Sequence, residues 1–346
     1  MNKLQTNETG RRRSLQWWHL PLLLLLILGT IYIARTSSPS NHWQKNQGSV
    51  FGTLYHITYN SPTDLQAGID QTLSQVDQSL SPFNPNSVIT AINHGSSRKA
   101  DTRLATVIAL AQQISTDTDG AFDITVAPLV NAWGFGFQAS TSVTTDTIDS
   151  LRQFVGYQKL QISHNGDVTK QDPRLMLDCS AIAKGYGVDA VGLYLESQSV
   201  TNYMVEIGGE VRVRGTNPDG KTWHIGINQP TEDTLATNTQ LQDILSVTNI
   251  AMATSGNYRN YYVREGRKYA HTIDPRTGYP VSHNLLSATV LATDCATADA
   301  YATAYMVMGL EKAQQHLNTH PHLQAYLIYT DTLGNIVTWN NLKVKN

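Results

Sequence analysis

Apolar residues recur at two different periods along this chain, and their alternation restricts it to a mixed α/β or α+β fold. Phe51–Tyr59 alternates as a strand does, and Leu65, Ile69, Leu73, Val76 and Leu80 then return at helical spacing. A second helix fits Asp101–Thr116: Leu104, Val107, Ile108, Ala111 and Ile114 share a face, and Asp101 is a capping residue type. Ser140–Asp149 reads as a polar loop entering a short helix. Arg174–Leu177 reads as a strand feeding a helix over Ala183–Glu196. Met204–Ile207 and Glu210–Arg214 read as strands around Gly208-Gly209, with Trp223–Asn228 as another. Leu285–Ala292 reads as a buried strand leading into a helix over Ala296–Met308. Strands and helices interleave in one domain, residues 49–346, whose strand order periodicity does not fix.

The N-terminus is of another kind. Arg11-Arg12-Arg13 precede an uncharged run, Ser14–Ala34, and roughly 20 helical residues cross a hydrocarbon core. Trp17 and Trp18 stand at its positive end, where an aromatic belt would lie. The positive-inside rule keeps residues 1–13 in the cytoplasm and sends the body outward, to the periplasmic side of a bacterial inner membrane. A cleaved signal peptide is the rival reading, against which Tyr32 is too large for the small-residue exit beside Ala34. Residues 35–48, rich in Ser, Asn and Gln, read as a spacer. A net charge of -2 leaves no basic excess, so nucleic acid is not an expected partner. Only two cysteines exist, Cys179 and Cys295. An oxidising compartment would let them pair, and two buried free thiols is the plainer expectation.

Gly215–Thr222 spells the P-loop pattern G-x-x-x-x-G-K-[ST], but that pattern needs a helix starting at the lysine. Trp223 onward alternates as a strand, and Asn217-Pro218-Asp219-Gly220 is turn chemistry, so a hairpin is expected.

Four segments carry residues suited to chemistry. Asp299 and Thr303, four apart on a helix, share one face. A carboxylate and a hydroxyl are hard oxygen donors suited to Mg2+. The plain alternative is Thr303 bonding back to the Asp299 carbonyl. Asp178-Cys179-Ser180-Ala181-Ile182-Ala183-Lys184-Gly185 joins a strand end to a helix start, offering amides and a positive dipole end to an anion. Lys184 adds charge there, or is an ordinary solvated lysine. Gly120-Ala121-Phe122-Asp123, with Trp133-Gly134-Phe135-Gly136 beyond it, combines close backbone approach with aromatic rings, Trp133 reading as core. His271, opening His271-Thr272-Ile273-Asp274-Pro275-Arg276-Thr277-Gly278, titrates near neutrality and can take a proton from a hydroxyl. Its alternative is a structural hydrogen bond beside a Pro-Gly turn.

Together these segments resemble the ApbE-type FAD:protein FMN transferases, over nearly the whole chain from Phe51 onward. The resemblance implies an ApbE-type domain behind the N-terminal anchor and a metal, Mg2+, held by Asp299, Thr303 and the backbone carbonyl of Ala181. It implies contacts to FAD at Asp178, Lys184, Ala121, Phe122, Asp123 and Ile273, and at Phe83 within Leu80–Ser87. Phe51-Gly52-Thr53 matches a segment where the family has Met first, and Phe51 takes that cofactor contact. Cys179 stands where an aliphatic residue is usual. Gly208-Gly209 and Thr254-Ser255-Gly256-Asn257-Tyr258 also resemble family segments, without defined roles. The implied reaction moves FMN from FAD to a Thr or Ser hydroxyl of an acceptor protein and releases AMP, with His271 as base. Acceptors would be flavoprotein subunits of membrane redox complexes. Rival readings are a metal-dependent FAD pyrophosphatase giving FMN and AMP, and a non-catalytic FAD-binding protein.

Overall fold

The computed structural model describes residues 20–36, 42–137, 143–230, 240–257, 261–264 and 267–343. The arginine triplet, Trp17-Trp18, residues 37–41 of the expected spacer, Ser140 and Tyr258 lie outside the described residues. The chain divides into two units, Met1–His42 and Trp43–Asn346.

In the first, helix α1 (Leu20–Thr36) leaves Leu23 through Leu28 exposed. Thr30 Oγ1 donates to the Leu26 carbonyl at 2.7 Å. Among the described residues no helix is long and apolar enough to cross a membrane, α1 having 17 residues.

The second unit begins with strands β1 (Trp43–Val50) and β2 (Thr53–Asn60), then helices α2 (Gln66–Leu80), α3 (Val88–Asn93), α4 (Thr102–Asp117), α5 (Ala127–Ala132) and α6 (Thr145–Arg152). A small ribbon, β3 (Leu160–Ile162) and β4 (Val168–Lys170), leads to α7 (Ala183–Ser197), β5 (Tyr203–Ile207) and β6 (Glu210–Arg214). There follow β7 (Trp223–Asn228), β8 (Leu241–Val247), β9 (Ile250–Gly256), β10 (Tyr261–Arg264), β11 (Arg267–Ala270) and β12 (Leu285–Ala292). Helices α8 (Cys295–Met308) and α9 (Leu310–Thr319) precede β13 (Gln324–Thr330) and β14 (Ile336–Asn340).

Eight strands form one sheet in the order β1-β2-β5-β6-β9-β12-β13-β14, every neighbouring pair antiparallel. The fold is therefore of the α+β kind. Strand alternation sorts the side chains between two faces. Glu210 and Arg212 of β6 turn toward α7, while Val211 and Val213 turn to the opposite face and pack with Trp223, Ile225, Leu245 and Val247 of the β7–β8 ribbon. On β9, Ala251, Ala253 and Ser255 face the helices and Met252 faces the ribbon.

Four expectations need correcting. Trp43–Val50, mostly placed in the spacer, is a strand, because polar residues such as Gln44, Lys45 and Gln47 suit the outermost strand of a sheet. The strand expected at Phe51 starts at Thr53, since Phe51 and Gly52 form the loop of the β1–β2 hairpin, with φ of 52° and 74°. Positive φ at both positions is what a two-residue loop of this twist requires. For Phe51 it costs about 1–2 kcal/mol, offset by packing of its ring on α7 beside Gly187, where a Cβ would come within 2.6 Å.

Arg174–Leu177 makes no strand. Leu177 exchanges two hydrogen bonds with the Asn93 side chain (2.7 and 2.9 Å), Asp178 N–H donates to the Ile124 carbonyl at 2.7 Å, and Met176 bridges Val126. Its backbone groups are satisfied one at a time, so no ladder forms. Gly215–Thr222 is a turn with a strand after it, as expected, but β7 pairs with β8 instead of folding back on β6. Cys179 and Cys295 are free, buried, and in different packing clusters.

Candidate active site

Two hairpin turns, Phe51-Gly52 and Gly208-Gly209, and the end of β9 at Ser255–Asn257 lie at one end of the sheet. Gly208 N–H donates to the Leu54 carbonyl (3.0 Å), which fixes the first two side by side. The antiparallel register Val211↔Met252 carries Ser255 past the start of β6 to the same end.

Helix α8 is seated by two carboxylates. Asp294 caps it locally, accepting from Thr297 N–H at 2.8 Å. Asp189 of α7 accepts from Cys295 N–H (2.8 Å) and Ala296 N–H (2.9 Å), and is itself held by Arg212 at 2.8 Å. Burial lifts the Asp189 carboxyl above its usual range, with those partners opposing. Asp189 lies on α7 just beyond Gly185, and nothing local to it shows that it caps a helix 106 residues away.

One turn into α8 stands Asp299, only 3% exposed, whose Oδ2 accepts the Gly185 N–H at 3.0 Å. That amide would ordinarily close the first turn of α7 on the Ala181 carbonyl. With it turned to Asp299, no donor among the described residues reaches the Ala181 oxygen. Burial raises the Asp299 carboxyl, and Lys184 and the Gly185 amide pull it back. Thr303, one turn along the same face, directs Oγ1 to Ser255 Oγ (3.2 Å), not back to the Asp299 carbonyl. Helices α7 and α8 come this close only because residue 185 is glycine: a Cβ there would lie 2.3 Å from the Cys295 carbonyl oxygen. Gly185→Ala is expected to cost about 1–3 kcal/mol and to weaken divalent-cation binding, both read from thermal melts with and without Mg2+. A melt unchanged in both conditions would refute this packing argument.

Lys184 is not a free phosphate-seeking cation. Its Nζ lies 2.5 Å from Glu210 Oε1, and Glu210 is 1% exposed. Glu210 Oε2 is buried and has no hydrogen-bond partner among the described residues. Burial opposes charge on Lys184, but Glu210 and Asp299 outweigh it and raise its pKa. Glu210 follows the Gly208-Gly209 turn, and the strand reading of that segment gave no sign of its pairing.

The flavin-contact candidates divide into two groups. Phe83 is 66% exposed and meets Phe137 edge to face at 6.0 Å, while Phe135 meets the His271 ring at 6.4 Å. The segment following Trp133 thus carries one aromatic to each of two distant candidates, and Phe137 joins the set unforeseen. Trp133 is core, its Nε1–H bonded to the Gly278 carbonyl (2.8 Å). By contrast, Ala121, Phe122 and Ile273 are buried, Phe122 in the main core and Ile273 against Leu129, Trp133 and Ile148. Asp123 is buried too, its two oxygens accepting from Thr125 and Tyr157 amides at 2.8 and 2.7 Å. Burial raises its carboxyl against those bonds. These four shape the loop from inside and present no open side-chain surface. Asp178 caps its own turn by accepting from Ser180 N–H (2.8 Å), setting the path of the chain toward Ala181.

His271 is joined to the sheet end through its neighbour: Thr272 Oγ1 donates to Asn257 Oδ1 (2.6 Å), two residues beyond Ser255. The Gly120 turn touches the same loop, a Cβ there lying 3.7 Å from Arg276 Cγ. All four chemistry-bearing segments therefore connect.

Comparison with known proteins puts this fold in a flavin transferase class. The profile of the ApbE family matches residues 51–327. The chain is 42% identical over 277 residues to the FAD:protein FMN transferase of Vibrio cholerae, covering 77% of this chain and 81% of that protein. It is 33% identical to the FAD:protein FMN transferase of Escherichia coli K12, covering 87% and 88%. Among solved structures it is similar to the flavin transferase ApbE from Vibrio cholerae, with TM-score 0.77, 37% identity, and 86% and 97% coverage. The apo flavinyl transferase ApbE of Pseudomonas stutzeri gives TM-score 0.76, 32% identity, and 86% and 94% coverage. The chain belongs to the ApbE family.

Proposed function

We propose that this chain transfers FMN from FAD to a Thr or Ser hydroxyl of an acceptor protein and releases AMP, with Mg2+ held by Asp299, Thr303 and the Ala181 carbonyl. One observation carries the reading: the Gly185 amide is committed to the buried Asp299 carboxylate, and the Ala181 carbonyl, which that amide would ordinarily reach, has no donor among the described residues. Two such oxygens and a threonine hydroxyl are the hard donors Mg2+ takes, with water and phosphate completing its shell. When bound, that ion neutralises charge on the FAD diphosphate.

The chain's own groups do the rest. The start of α7 turns its positive dipole end to the diphosphate, and Lys184, steadied by Glu210, adds two further N–H donors. Phe83, Phe137 and Phe135 offer faces and edges for flat rings. The acceptor oxygen bonds to the FMN phosphorus as the bond to the AMP oxygen breaks, and the hydroxyl proton passes to a His271 ring nitrogen. Acceptors are taken to be flavoprotein subunits of membrane redox complexes. The apolar run Ser14–Ala34, whose Leu23–Leu28 stretch is exposed, is read as the anchor that holds this body on the periplasmic face of a bacterial inner membrane. Protease protection in spheroplasts tests that placement.

The deciding experiment incubates the protein with FAD, Mg2+ and a candidate acceptor domain. Flavin fluorescence retained on the denatured acceptor supports transfer, whereas FMN released equally without acceptor supports hydrolysis. His271→Ala is expected to slow transfer by about 10²–10⁴-fold while FAD still binds. Full-rate transfer by that variant would remove His271 as base.

A further inference from the structure

On the other side of α8 lies a cluster that the transfer reaction does not use. Tyr301 sits between Asp299 and Thr303 in sequence, about 200° around the helix from Asp299 at ~100° per residue. Its hydroxyl donates to Asp117 Oδ2 at 2.6 Å, at the C-terminal end of α4. His316 of α9 places Nε2 at 2.9 Å from Asp117 Oδ2, and His320, just beyond α9, places Nε2 at 3.0 Å from Oδ1. The two imidazoles stack at 3.9 Å with their planes 2° apart. One ligand atom from each of the three residues lies within 4.8 Å of the others.

The proton count at His320 exposes what the cluster wants. His320 Nδ1 lies 2.8 Å from the His316 carbonyl oxygen, which can only accept, so Nδ1 carries the proton. In the neutral ring Nε2 is then a lone pair aimed at a carboxylate oxygen 3.0 Å away. Two acceptors then face each other, and either a proton on Nε2 or a metal cation between them resolves the conflict. His316 rests Nδ1 3.1 Å from the Tyr305 hydroxyl, which can accept or donate, and turns Nε2 to Asp117. Burial, then the neighbouring His320, holds His316 below the ordinary imidazole value, which favours the neutral form that ligates. Rings fixed at Nδ1 with Nε2 converging on a carboxylate are the outer-shell pattern of histidine metal sites. Donor separations of 2.9 and 3.0 Å approach the roughly 3.3 Å between ligands about 2.0 Å from a tetrahedral ion.

We propose that Asp117, His316 and His320 form a second cation site, for a zinc-class transition metal, that ties α4 and α9 together behind α8. Two imidazoles and one carboxylate select such an ion over Mg2+, which prefers oxygen alone. Asp117 and His320 keep about a quarter of their side-chain surface open, so the ion has an entry path and a position for water.

The test is equilibrium dialysis of the full, untagged chain in detergent against Zn2+, with millimolar Mg2+ present. Wild type and Asp299→Asn are each expected to retain one Zn2+ per chain, the second because it alters only the transfer site. His316→Gln and His320→Gln are expected to lose roughly a hundredfold or more in affinity, and Tyr305→Phe about tenfold through the ring it orients. Co2+ in place of Zn2+ should give visible absorption in wild type that His320→Gln lacks, a readout independent of overall stability. Absence of Zn2+ from wild type, or undiminished affinity in both histidine variants, overturns the proposal.

Discussion

Asp299→Asn is expected to lower metal-dependent transfer by about 10²–10³-fold, the scale of removing one group that stabilises developing charge. The argument separates two jobs of one carboxylate. Oδ2 accepts the Gly185 N–H and so keeps that amide off the Ala181 carbonyl. The negative charge is the feature a divalent ion needs. Asparagine preserves an acceptor for Gly185 and removes the charge, so the fold should survive while cation affinity is lost. Asp299→Ala removes both, stranding a buried amide at a further cost of about 1–3 kcal/mol. Rates measured across a Mg2+ series, beside melting curves, distinguish the two variants. Native transfer by Asp299→Asn at low Mg2+ would rule out Asp299 as a ligand.

The second large effect is expected in stability. Lys184→Met leaves the Glu210 carboxylate buried without its partner, a situation that costs about 3–5 kcal/mol. Its pH dependence has a definite sign. Burial lifts the Glu210 carboxyl above the ordinary glutamate value, and Lys184 is the chief opposing influence. A carboxyl raised in the folded state keeps a proton that the unfolded chain has released. Stability therefore falls as pH climbs above the ordinary glutamate range. Removing Lys184 steepens that fall. Urea titrations of both proteins at about pH 5 and pH 8 should show a small deficit at the lower value and the full one at the higher. Lys184→Met combined with Glu210→Leu should recover most of the loss, since an apolar pair strands no charge. A deficit independent of pH would mean that Glu210 is not the group left stranded.

Some of this was legible because it is local. Helix α4 was placed almost to its ends by apolar spacing and by Asp101, which does cap it, accepting from Leu104 N–H at 2.9 Å. Spacing put Asp299 and Thr303 on one helix face, and α8 does bring them there; their metal role came from the resemblance. Strand β1 was missed because an edge strand and a polar spacer have the same composition. Arg174–Leu177 was misread because alternation cannot reveal that Asn93, 84 residues away, takes the backbone bonds a ladder would need. Lys184 was read as a phosphate cation or a solvated lysine because its partner Glu210 lies 26 residues on, across a turn. Ala121, Phe122, Asp123 and Ile273 lie in the segments singled out, but only packing could say that their side chains point inward.

Residue types and their spacing determined the secondary elements, the family and the kinds of donor available, since these depend on neighbours a few positions apart. Only the tertiary structure decided which donors are already taken: the Gly185 amide by Asp299, Lys184 by Glu210, the start of α8 by Asp189. Hydrogen bonds and ion pairs saturate, and in a buried site each group has few partners within reach. Which of them it meets is set by how distant segments pack.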